Sequence, residues 1–112
     1  DCRDATLSGL QVTAAAEPQG ALILRRCRRV NVTGCTILDS DGCGILLEEA
    51  EGVRLSGCLV RDDRPSNEPP IALRVAGGSG NMIVGNMLVG ETEIAAGSGL
   101  VEGNYGGVAR TR

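Results

Sequence analysis

Val30-Asn-Val-Thr-Gly-Cys-Thr-Ile37 and Val53-Arg-Leu-Ser-Gly-Cys-Leu-Val60 are one pattern written twice, 23 residues apart (Gly34 to Gly57). The apolar positions coincide, and so does the Gly-Cys pair. Upstream, Ala21-Leu-Ile-Leu24 falls on Gly44-Ile-Leu-Leu47 at the same offset. Asn81-Met-Ile-Val-Gly-Asn-Met-Leu88 fits the template at an offset of 28 (Gly57 to Gly85), because residues 64–70 insert a loop. Ala72-Leu-Arg-Val75 then takes the place of Gly44-Ile-Leu-Leu47. The ends fit more loosely: Gly9 lies 25 residues before Gly34, and Gly103 lies 18 after Gly85. Gly9, Gly34, Gly57, Gly85 and Gly103 thus share one register, and a recurring period of this size marks a stacked repeat.

Within a repeat, apolar residues recur at every second position. The first strand reads Leu22-x-Leu24, Ile45-x-Leu47 and Leu73-x-Val75. The middle one reads Val30-x-Val32, Val53-x-Leu55 and Asn81-x-Ile83, and the third Cys35-x-Ile37, Cys58-x-Val60 and Asn86-x-Leu88. Period two buries one face of a strand. A helix needs spacings of three and four, and turn residues interrupt too often for one. The pattern predicts an all-β solenoid, a parallel β-helix of about four to five coils of roughly 23 residues with three short strands per coil. It fills residues 1–112 as a single domain, with a loop insertion at 64–70 and a C-terminal tail at 106–112. Successive coils rise by about 4.8 Å. Leu7, Val32, Leu55, Ile83 and Val101 then stack in one column, Leu10, Cys35, Cys58, Asn86 and Asn104 in another, and Cys2 lies over Cys27.

The phrases NVTGCTILDSDGCGILLEE and VRLSGCLVRDD resemble the right-handed parallel β-helix proteins of the pectate lyase, polygalacturonase and tailspike type. They are closer still to the generic right-handed β-helix region of many bacterial extracellular proteins. The likeness covers roughly residues 5 to 105 and implies a right-handed, single-stranded coil. It implies little about activity, since the scaffold hosts many. Asn86 over Asn104 resembles two rungs of the asparagine ladder of that family. A leucine-rich repeat is the nearest rival, but its Asn-bearing consensus and helical return are absent.

Composition agrees with flat, stacked layers. Apolar residues make up 42% of 112, yet there is no Phe or Trp and Tyr105 is the sole aromatic. The net charge of −3, with signs intermixed, disfavours nucleic acid. The run Arg25, Arg26, Arg28, Arg29 is the exception; it reads as a solvated turn with Glu48, Glu49 and Glu51 at the matching place one repeat later. No stretch reaches the length of a membrane span. The opening Asp-Cys-Arg-Asp reads as mid-repeat, as expected of an excised fragment or of a mature chain that has lost its leader. Five cysteines without paired spacing, and without His, read as buried thiols rather than a zinc site.

The acidic turn after the third strand is the candidate for chemistry. Asp39 stacks on Asp62, with Asp63 beside it and Asp41 and Glu91 nearby. Carboxylates one rung apart repel unless they bind a cation, share a proton or splay into water. Ca²⁺ would use such oxygens. The resemblance implies a catalytic constellation of Asp39, Asp62, Asp63 and the outward-facing Arg74, since pectate lyases use calcium with a basic Arg and polygalacturonases use aspartates. The Asn-Thr-Asp and Gly-His-Gly motifs are missing, however, and the plainer reading is a solvated turn with Asp41-Gly42 as turn residues. Asn31-Val-Thr33 is a glycosylation sequon by pattern, Tyr105 reads as a packing or capping residue, and Gly77 to Gly80 as a turn. Ile23, Leu46, Leu59 and Met87, with Leu38 and Val89, form an aliphatic outer stripe, which marks an interface for self-association or for packing on a further domain, or else a face turned inward.

The expectation is a non-catalytic structural or interaction module of a larger extracellular or cell-surface protein, needing no cofactor. The alternative is a fragment of a polysaccharide lyase or glycoside hydrolase acting on acidic polysaccharide, with Ca²⁺ held by Asp39, Asp62 and Asp63.

Overall fold

Alternating Val, Leu and Ile favour strands because branched side chains pack well on a pleated surface. The computed structural model describes residues 3–13, 20–39, 43–63 and 71–111, the side chains as far as 105. These residues are all-β. The first repeats supply β1 (Arg3–Ser8), β2 (Gln11–Thr13), β3 (Leu22–Arg25), β4 (Arg28–Thr33) and β5 (Thr36–Leu38). Next come β6 (Cys43–Glu51), β7 (Arg54–Ser56), β8 (Leu59–Arg61), β9 (Ile71–Ser79) and β10 (Asn81–Val84). The last are β11 (Met87–Ile94), β12 (Gly99–Glu102) and β13 (Tyr105–Thr111). They form one sheet, curled as a half-barrel, whose strand pairs run parallel. No helix among the described residues is long and apolar enough to cross a membrane.

The pairing register is the one the repeat predicts. Leu7 pairs with Val32, Val32 with Leu55, Leu55 with Ile83 and Ile83 with Val101. Val32, Leu55 and Ile83 in the middle of this column are fully buried, and with Val30, Ile37, Ile45, Leu47, Val53, Leu73 and Leu88 they make the core. Gly9, Gly34, Gly57, Gly85 and Gly103 all stand at φ between 63° and 68°, each between two strands. The Gly34 N–H donates to Ser56 O at 3.2 Å, and the Gly9 N–H to Thr33 O at 3.2 Å, so the column is tied from one repeat to the next.

Two features depart from three short strands per repeat. β6, β9 and β11 run on through a bend, and Ala72 is inserted where Glu91 pairs with Ile71 but Thr92 pairs with Leu73. At that bend Gly44 faces the interior. A Cβ there would run into Val60 Cγ1 and lie 2.7 Å from Ala72 O, so the position has no room for a side chain. Pairing also continues past Tyr105, where β13 follows β11 as far as Thr111. The loop at 64–70, Cys2 and the Asp41-Gly42 turn lie outside the described residues.

A second kind of column holds amides. Asn86 Nδ2 donates to Leu55 O at 3.0 Å, while its Oδ1 accepts the Cys58 N–H at 2.9 Å. Asn104 repeats the arrangement one layer on, Nδ2 to Ile83 O and Oδ1 from the Asn86 N–H, both at 3.0 Å. Cys35 and Cys58 occupy the same column, and their thiols point at the equivalent carbonyls, Leu7 O and Val32 O, each at 3.9 Å. Cys27, Cys35, Cys43 and Cys58 are buried thiols not joined in disulfides.

Two glycine substitutions separate conformational strain from lack of space. Nothing lies near a Cβ added at Gly34, so Gly34→Ala incurs only the left-handed backbone penalty, about 1–2 kcal/mol. Gly44→Ala overpacks the bend and costs about 1–3 kcal/mol, and trimming the neighbour in Gly44→Ala/Val60→Ala recovers part of that loss. Urea midpoints of the variants check both; Val60→Ala has no matching effect on Gly34→Ala.

Candidate functional site

The acidic turn is brought together by register. Leu38 pairs with Arg61, and the Asp39 N–H donates to Arg61 O at 2.9 Å. Asp39 Oδ1 accepts the Asp63 N–H at 3.0 Å, and Asp63 Oδ1 is held by Arg61 Nε at 2.7 Å. These carboxylates thus bind backbone and guanidinium donors. Among the described residues no group of three or more His, Cys, Asp or Glu is placed to hold a metal ion. Arg74 sits elsewhere, on the outer face of β9, where its Nε meets Glu93 Oε2 at 2.6 Å.

That outer face has an unexpected composition. Ile23, Leu46, Arg74 and Glu93 stack in one line through successive strand pairs. Leu46 is buried and Ile23 half-buried, so the expected aliphatic stripe is largely covered; Leu59, Leu38 and Val89 are half-buried too, and Met87 remains exposed. Gly20 packs here: a Cβ on it would be 3.5 Å from Leu46 Cβ and 3.4 Å from Ile23 Cγ1. Glu93 is buried as well, and Arg74 partly so. Cys43 lies close by, its Sγ 2.9 Å from Ile45 O. Burial pushes the Cys43 thiol up from 9.0 to about 11, against the opposing pull of the Arg74 guanidinium. A thiol so held is protonated at neutral pH and is a poor nucleophile.

The arginine run finds its acids across the repeat. Arg25 Nε meets Glu48 Oε2 at 3.0 Å, Arg28 Nε meets Glu51 Oε2 at 3.6 Å, and Arg29 reaches back to Asp4 with contacts of 2.6 and 2.7 Å. An open cleft of about 290 Å³ lies among Arg3, Arg28, Arg29 and Glu51. In the sequon Asn31 is half-buried, its Oδ1 enclosed without a hydrogen-bond partner.

The two end layers are the most distinctive surfaces. Among the described residues β1, β2 and β3 each pair on one side only, with β4, β5 and β6, and at the opposite end β12 and β13 do so with β10 and β11. Among the described residues the exposed large apolar side chains are Leu10, Met82, Met87, Leu100, Val101 and Tyr105. Five of these lie in the last two layers and Leu10 in the first. Val101 is 37% exposed although Ile83, its partner in the same column, is 1% exposed. Comparison with known proteins gives no match: no family model fits the chain, and no curated protein or solved structure is significantly similar.

Sequence reasoning placed Asn86, Asn104 and the end column, but it read Asn81 only as a loose strand position. Asn81 is buried where Val30 and Val53 stand in earlier repeats. Its Oδ1 accepts the Val53 N–H at 3.0 Å, and its Nδ2 donates to Ala50 O at 3.0 Å and Ser98 O at 3.1 Å. The substitution of Asn into a valine column was the available signal. Glu93 carried none, because the one-residue bulge at Ala72 breaks the spacing that would align it with Arg74.

Asn81→Val restores the apolar column yet orphans the buried Val53 N–H. It therefore lowers stability by about 1–3 kcal/mol in urea unfolding; a stabilised variant would show that the amide is dispensable. The Cys43 thiol gives a pH signature. Its folded pKa is raised, so its contribution is intact below 9.0 and is lost as the pH climbs towards 11. Stability falls by about 2–3 kcal/mol across that window, and Cys43→Ala flattens the fall in pH-dependent denaturation curves.

Proposed function

We propose that this chain is a right-handed parallel β-helix that serves as a non-catalytic structural and interaction module. The observation that carries the reading is how the charged groups are used. Arg25–Glu48, Arg28–Glu51, Arg29–Asp4 and Arg74–Glu93 each join successive repeats. Asp39 likewise binds the backbone of the next repeat. Side chains that could serve acid–base chemistry act instead as ties between layers. Exposed ties of this kind contribute about 0.2–1 kcal/mol each, and they reject a slipped register by setting like charges opposite. The coil reading is supported by columns that advance by one repeat per step, at separations of 23, 25 and 28 residues. The likeness of the repeat to β-helix regions of bacterial extracellular proteins is what supports a role within a larger extracellular or cell-surface protein.

Two measurements test this. Ser8 and Glu102 stand at the two ends of one column, joined through Thr33, Ser56 and Val84. Paired spin labels at Ser8 and Glu102, diluted in unlabelled protein, give a backbone separation of about 19 Å, four steps of strand spacing. A much longer or broad distribution rejects the coil. Incubation with pectate and alginate, with and without Ca²⁺, leaves both polymers uncut. Cleavage that is lost in Asp39→Asn or Asp63→Asn rejects the non-catalytic assignment.

A further inference from the structure

We propose that the cleft beside the stacked pair Arg3 and Arg28 binds a tetrahedral oxoanion of the phosphate class, free or as a monoester. The observation behind it is a lapse in charge alternation. At this corner Arg25 stands on Glu48 and Asp4 meets Arg29, opposite signs in each case. The neighbouring column runs Arg3, Arg28, Glu51 and Ser79, so two cations occupy successive layers. Equivalent positions on parallel strands lie about 4.8 Å apart, and like charges directly opposite destabilise a sheet. An open cleft of about 290 Å³ lies at this place, lined by Arg3, Arg28, Arg29 and Glu51. Its lining comes from three successive layers, so the cleft runs along the side of the stack rather than across an end. The site stands on pairing register alone and goes beyond the structural role proposed above.

Glu51 serves only one of the two cations, and loosely. Its Oε2 is 3.6 Å from Arg28 Nε, against 3.0 Å for Arg25–Glu48 and 2.6 Å for Arg29–Asp4, and both side chains are more than half exposed. Arg29 is already engaged by Asp4, Nε to Oδ1 at 2.6 Å and Nη2 to Oδ2 at 2.7 Å. That pair shows the capacity of a carboxylate, whose two oxygens are filled by a single guanidinium fork. A ligand shared by Arg3 and Arg28 meets guanidinium groups from two layers and needs oxygens on more than one side. A phosphate dianion has them, and its two charges match the two stacked cations. Glu51 competes for Arg28 from the opposite layer, so the anion displaces a weak tie rather than a strong one.

The test is calorimetric titration of the whole chain with inorganic phosphate at constant ionic strength. The wild type shows saturable binding at one site. Arg28→Gln and Arg3→Gln each weaken it about tenfold, the loss of one charge-assisted contact. Glu51→Gln strengthens it, because the competing carboxylate is gone. Arg54→Gln removes the same charge from β7, outside the cleft, and leaves the affinity unchanged. Acetate at equal ionic strength does not compete. Glycerol phosphate in competition says which source fills the site: displacement marks a monoester, and no displacement the free ion. All four substitutions are at exposed positions, circular dichroism checks that each variant is folded, and the wild-type titration tests the proposal without them. Absence of saturable phosphate binding overturns the inference. So does an Arg54→Gln loss equal to that of Arg28→Gln, which would mean general charge attraction, and so does acetate that competes as well as phosphate. A Glu51→Gln variant that binds more weakly than the wild type also overturns it.

Discussion

Everything in this molecule depends on parallel hydrogen bonding in register between equivalent positions of successive repeats. Strands about 4.8 Å apart bring each residue directly against its own counterpart. A position is therefore judged by how well it stacks on itself. Aliphatic residues do so at no cost, and Val32, Leu55 and Ile83 form a continuous buried column. Charged residues do not, and here sign alternates between layers: Arg25 meets Glu48, and Arg28 meets Glu51. Amides stack well because each carries both a donor and an acceptor, and Asn86 and Asn104 use both.

Much of this was legible because a column is visible as a period. The five glycines, the Leu7–Val101 column and the Cys-to-Asn column are all read directly from the spacing. The turns at the arginine run and at Asp39 were legible too; what stayed hidden was that they are left-handed without glycine. Asp4, Arg26, Arg29, Asp39 and Glu49 all hold φ between 50° and 54°, a conformation that most side chains resist. Register explains them. Arg29 precedes Gly52 and Gly80 in one column, and Arg26 and Glu49 precede Gly77 in another, all at positive φ. The turn is a property of the column, imposed by the corner, and glycine reports it only in some layers. Where a layer lacks glycine, the neighbouring layer can supply a reason for it. The Glu49 carboxylate fills the space that a Cβ on Gly77 would need. The Arg74–Glu93 pair was hidden for the opposite reason, since the bulge at Ala72 takes it out of period.

The acidic turn shows how a functional reading from sequence changes once register is known. Carboxylates one rung apart invite a cation or shared proton. Two other solutions were available, and they are the ones seen: Asp39 takes a backbone N–H from the next layer, and Asp63 takes the Arg61 guanidinium. Both need only groups that the fold already presents at that corner.

The polar character of the later repeats completes the logic. Earlier layers carry Val30 and Val53 where a later one carries Asn81, and Cys35 and Cys58 where later ones carry Asn86 and Asn104. The target carbonyls are equivalent throughout, but a thiol reaches them at 3.9 Å and an amide at 3.0 Å. This exchange occurs as the core thins towards Val101. An aliphatic column alone specifies register weakly, because a slip of two residues again sets apolar on apolar. A buried amide tolerates no such slip, since a displaced Asn81 or Asn86 loses both its acceptor and its donor together. Burial therefore holds the middle layers together, and hydrogen-bonded amides fix the alignment where burial fades. The exposed Val101 layer is consequently held in the same register as the interior.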